Sequence, residues 1–155
     1  MIFFIILCFA TAAAGSVFTG ASIKSWYPTL RKPSWNPPDR VFAPVWTVLY
    51  LMMAVAGWMA WERMPRNVFC WPMVLFGVQL ALNAGWSVIF FGLRHPGWAL
   101  AELVLLWVSI LVTMISFWEV YWCAGLLFVP YFVWVTFAGI LNFHVWKLNR
   151  PQAGS

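Results

Sequence analysis

The chain has 155 residues, 64% of them hydrophobic and 8% charged, against about 25% charged in soluble domains, so a water-soluble fold could not hide its apolar surface. Its net charge of +5 does not mark a nucleic-acid binder, because the basic residues fall between apolar runs, where membrane topology requires them. The class that remains is all-α integral membrane: a single domain, 1–155, built as a five-transmembrane-helix bundle.

Residues 1–23 form an apolar stretch long enough to cross a bilayer core, which needs about 20 residues. It ends in Thr-Ala-Ala-Ala-Gly-Ser, as a cleaved signal peptide does, but no charged side chain precedes Lys24, and a signal peptide needs a basic start. It is therefore the first span. Residues 24–40 interrupt the apolar pattern. The stretch 24–46 holds four of the nine basic residues and five of the ten prolines, with Trp26, Tyr27, Trp35 and Trp46. Prolines 33 to 38 bar a regular helix, and the large rings argue against disorder, so a long ordered loop, a lid, joins helices 1 and 2.

The second span covers 41–61, the third 68–93 with Pro72 in its first turn, the fourth 98–118 and the fifth 121–146. Five spans put the termini on opposite sides. The lid, the 94–97 loop and the C-terminus then share seven basic residues, while the other side has Arg63 and Arg66. The positive-inside rule places the lid and C-terminus in the cytoplasm and the N-terminus outside. Trp61, Trp98, Trp118, Tyr121 and Trp146 fit interfacial belts.

At 100° per residue, Gln79, Asn83, Trp86 and Phe90 share a face of the third helix. Amides inside a bilayer must find partners or line a cavity. Gly77, Ala81 and Gly85 lie opposite, a small-residue series that lets helices approach closely, either within the bundle or across a homodimer seam. The second helix aligns Trp46, Tyr50, Met53 and Gly57; the fifth aligns Tyr131, Trp134, Ala138 and Leu141, with Asn142 at the edge. Such stripes are ordinary core material, but here three of them converge beneath an aromatic loop, in the manner of an apolar small-molecule pocket.

No set of residues for hydrolytic or acid–base catalysis can be assembled, and no ionisable group sits at mid-span, as ion-coupled transport requires. His95 and His144 stand alone, Cys8, Cys70 and Cys123 form no ligand pattern, and no metal or required cofactor is expected.

Several stretches together resemble the tryptophan-rich sensory protein/translocator protein family (TspO/MBR, the peripheral-type benzodiazepine receptors). They are Lys32-Pro-Ser-Trp-Asn-Pro-Pro38, Pro44-Val-Trp-Thr-Val-Leu-Tyr50, Gln79-Leu-Ala-Leu-Asn-Ala-Gly-Trp86, Phe90-Phe-Gly92, Gly97-Trp-Ala-Leu100, Val129-Pro-Tyr-Phe-Val-Trp134 and Leu141-Asn-Phe143. The resemblance covers nearly the whole chain. It implies a homodimeric five-helix protein that binds porphyrins such as protoporphyrin IX, in many members also sterol or synthetic ligands, under the first loop. Carried over by position, the ligand residues would be Tyr27, Trp35, Trp46, Tyr50, Asn83, Trp86, Trp134, Phe137 and Ala138. Trp46 and Trp134 match tryptophans tied to light-dependent porphyrin breakdown, which makes a porphyrin-degrading enzyme the alternative to a receptor or carrier; a small-molecule transporter is a further one. The family's sterol pattern has a tyrosine where this chain has Phe143, ahead of Lys147, so sterol binding stays open. A bacterial cell membrane is the expected location, a mitochondrial outer membrane the alternative.

Overall fold

A computed structural model describes residues 1–65 and 70–150, and among them the regular structure is entirely helical. The helices are α1 (Ile2–Ile23), α2 (Asp39–Arg63), α3 (Trp71–Ser87), α4 (Pro96–Val120) and α5 (Trp122–Asn149). Each of the five, α3 counted with the π-helical turn Val88–Gly92 that continues it, is long and apolar enough to cross a membrane. The expected start of the third span at Val68, and Arg66 in the charge count, lie outside the described residues.

The boundaries differ from the expected ones for local reasons. Helix α2 starts two residues early, where Pro38 ends the extended lid at φ −59°, ψ 139° and Asp39 occupies the first turn, an acidic side chain favoured by the helix dipole. Pro72 and Pro96 sit in the first turns of α3 and α4, where a missing N–H costs nothing. The third span is not one α-helix: after Ser87 it widens into the π-turn. The reversal into α4 then passes through Arg94 at φ 57°, a left-handed conformation uncommon for a residue with a Cβ. Helices α4 and α5 are joined by Tyr121 alone. That hairpin requires Gly125, because a Cβ there would fall 2.8 Å from the Cα of Trp118.

Around the bundle the neighbours run α1, α2, α5, α4, α3 and back to α1. The half away from the lid is filled. Phe76 stacks on Phe117 at 5.8 Å, Phe128 meets both edge-on, and Met53 and Ile110 are fully buried among them. The half beneath the lid is hollow.

Candidate functional site

A cavity of about 440 Å³ lies between α1, α2, α3 and α5 under the lid, within the range of about 300–1,000 Å³ typical of small-molecule pockets. Its floor is a polar bridge. The Tyr50 hydroxyl donates to Oδ1 of Asn83, and Nδ2 of Asn83 donates to the Tyr131 hydroxyl at 2.7 Å. These residues come from α2, α3 and α5, so one amide ties three helices together. Trp46 covers the bridge, 5.6 Å from the Tyr50 ring and 6.1 Å from Tyr131.

On the α3 side, Trp86 stacks on Phe90 at 5.0 Å and meets Phe91 edge-on at 5.9 Å. Its indole N–H donates to Oδ1 of Asn142, whose Nδ2 in turn donates to the Pro96 carbonyl. Two consecutive phenylalanines of the π-turn, Phe90 and Phe91, both line the cavity. Ser22 fastens that turn to α1, its hydroxyl donating to the Phe91 carbonyl at 2.6 Å.

The roof is Tyr27, buried in the short 3-10 turn Tyr27–Thr29. Its ring lies against Phe90 and Phe91, its hydroxyl donates to Oδ1 of Asn36 at 3.1 Å, and the Lys32 ammonium sits 3.9 Å from the ring centroid on its face. Burial pushes the phenol up to about 12, Asp39 adds to the rise, and the Asn36 bond partly offsets it. Further along, Asn149 clamps the lid: Oδ1 accepts the Arg31 N–H at 2.9 Å, while Nδ2 donates to the Arg31 carbonyl at 2.8 Å. Among the described residues Asp39 is the one charged residue on the wall, so the site presents aromatic faces, two amides and phenols to whatever enters. Among the described residues no cluster of metal-binding side chains occurs.

Of the nine residues singled out for ligand contact, seven line this cavity: Tyr27, Trp46, Tyr50, Asn83, Trp86, Trp134 and Ala138. Trp35 and Phe137 do not. Trp35 packs edge-on against Phe137 at 5.8 Å, and Phe137 backs Trp134 at 5.5 Å, so both stand behind the wall. Gln79 is buried one turn below Asn83, off the cavity, with no hydrogen-bond partner for its amide among the described residues. Of the three small residues, Gly77 and Ala81 are exposed, but Gly85 is half-buried, with a Glu102 carboxylate oxygen 3.6 Å from where its Cβ would be.

Sequence reasoning missed the α1 wall, made by Ala12, Gly15, Ser16, Thr19 and Gly20 with Phe9 below them. Their spacing of three and four residues is a helix face, but a face of small residues in an apolar segment carries no chemical signature.

The sequence profile of the TspO/MBR family matches residues 4–147. The tryptophan-rich protein TspO of Chlorobaculum tepidum is 48% identical over 92% of this chain and 91% of its own length. The tryptophan-rich sensory protein of Cereibacter sphaeroides is 38% identical over 95% and 94%, and the translocator protein of Sus scrofa 39% identical over 83% and 78%.

Proposed function

Because the chain belongs to the TspO/MBR family and is a multi-pass membrane protein, we propose that it is a receptor or carrier that holds a porphyrin, such as protoporphyrin IX, in the cavity beneath the lid, in a stress-sensing or tetrapyrrole-regulating role. The observation that carries this reading is the cavity itself, walled by Trp46, Trp86, Phe90 and Trp134 and floored by the Asn83 bridge. Flat aromatic faces suit a flat π-system, and the amides and phenols offer hydrogen bonds at fixed places. The names of relatives, sensory protein and translocator protein, fit a binding role coupled to signalling or movement. The acting species is a homodimer in a bacterial cell membrane, with the lid in the cytoplasm.

Titration of the purified protein with protoporphyrin IX tests the reading. Tryptophan fluorescence should quench saturably; no saturation below about 100 μM, equivalent to about −5.5 kcal/mol, overturns it.

A second reading has one observation behind it: Trp46 and Trp134 both face the cavity, where an excited porphyrin could oxidise them. Illumination with excess porphyrin separates the two. Repeated turnover that disappears in Trp134→Phe while binding remains indicates degradation; damage limited to one equivalent indicates a receptor.

A further inference from the structure

We propose that the cavity exchanges its occupant directly with the bilayer, through a cleft between α1 and α2, and not through the lid. The cargo named below rests on the porphyrin reading; the route rests on geometry.

Every exposed residue on the cavity wall belongs to α1 or α2: Phe9, Ser16 and Gly20 on the first, Asp39, Ala43 and Thr47 on the second. The wall residues of α3, the π-turn, α5 and the lid are all buried or half-buried. The two helices touch far from the lid, where a Cβ on Gly57 would strike the Phe4 ring at 2.8 Å. Towards the lid α1 turns to another neighbour. Gly15 abuts Ser87, Phe18 abuts Gly92 and Ser22 bonds Phe91. Leaning on α2 at one end and on the π-turn at the other, α1 leaves a gap beside α2. The gap is empty at Gly20, where an added Cβ meets nothing within 4 Å.

Depth places this gap in hydrocarbon. At 1.5 Å per residue, Ser16, Gly20, Ala43 and Thr47 lie roughly 5–12 Å inward from the lid ends of their helices, inside a core about 30 Å thick. Its hydroxyls are turned inward chemically: Ser16 donates to the Ala13 carbonyl at 2.8 Å and Thr47 to the Ala43 carbonyl at 2.9 Å. Neither hydroxyl is therefore an unpaired donor that would hold water in the gap or penalise an apolar solute crossing it. On the aqueous side Tyr27 is buried as the roof, and Asn149 holds both the N–H and the carbonyl of Arg31.

The test uses the full chain in phosphatidylcholine vesicles, mixed with vesicles carrying protoporphyrin IX, with association and dissociation followed by porphyrin fluorescence. Gly20→Phe fills the gap and Asn149→Ala loosens the lid. The expected result is that Gly20→Phe slows both rates at least tenfold, while Asn149→Ala leaves both within twofold. Thr47→Trp, from the other lip, should repeat the slowing if Gly20→Phe folds poorly. Unchanged rates in the two gap variants, or tenfold faster exchange in Asn149→Ala, would overturn the route. Wild-type protein that takes up no porphyrin would overturn the porphyrin reading alone, and the same comparison with a neutral pyrene probe then decides the route.

Discussion

At the scale of single residues, Asn83 has the largest consequences. Its one amide satisfies two phenols on two other helices, and in hydrocarbon neither phenol has water to turn to. Asn83→Leu keeps the branched shape of the side chain but removes both hydrogen-bonding groups. We expect a loss of about 1–3 kcal/mol of stability, read from unfolding in mixed detergent micelles, and at least tenfold weaker porphyrin binding. Unaltered stability would mean that Tyr50 and Tyr131 find each other or a neighbouring carbonyl. Tyr27 supplies a pH signature. Its phenol stands at about 12 when folded, against about 10 in an unfolded chain. The folded state thus favours the neutral, donating form. That contribution is complete below pH 10 and is lost as pH rises through 12. Tyr27→Phe should therefore lack the lid-loosening step that wild type shows between pH 10 and 12, followed by proteolysis within residues 24–40. An identical profile in both proteins would put the alkaline transition elsewhere. Residue types and periodicity were enough to place Asn83 and Trp86 on one inward face. Periodicity could not tell Asn83 from Gln79, which shares the face yet lies beneath the floor, because a face has no depth.

Element by element, the five spans were legible because an apolar run of about 20 residues has few alternatives in a chain with so little charge. Two features were not. The α1 wall is built from residues selected for smallness, and smallness reads as packing, or even as a signal-peptide end. The π-turn is one extra residue per turn in a continuous apolar run, with no residue type to mark it, and π-bulges often accompany functional sites. It carries both Phe90 and Phe91, which line the cavity. Ser22 is the bolt that holds this turn against α1. Ser22→Ala leaves the buried Phe91 carbonyl without that donor. It should cost about 1 kcal/mol, near the middle of measured values for side-chain hydrogen bonds between membrane helices, while Ser22→Thr restores it. A larger effect on porphyrin affinity than on stability would show that the π-turn is positioned for the ligand.

For the molecule as a whole, the cavity and the outer surface of α3 lie on opposite sides of one helix, so occupancy and assembly can be altered separately. Gly77 and Ala81 are open, and nothing lies within 4 Å of a Cβ on Gly77. Gly85 is instead covered from α4 by Glu102, which shortens the free small-residue face to the half of α3 away from the lid. Membrane helices gain no hydrophobic force by meeting, since lipid is as apolar as leucine; close backbone packing is what remains. Ala81→Leu inserts three heavy atoms on that face without touching Asn83 or Trp86. We expect the detergent-solubilised species to shift from dimer to monomer, measured by light scattering corrected for bound detergent, with porphyrin affinity within threefold of wild type. Gly85→Ala should change assembly little, because its neighbour belongs to the same chain. A dimer unaffected by Ala81→Leu would move the seam to another helix. Loss of folding in Ala81→Leu would contradict the exposure of this face and require α3 to pack within its own bundle.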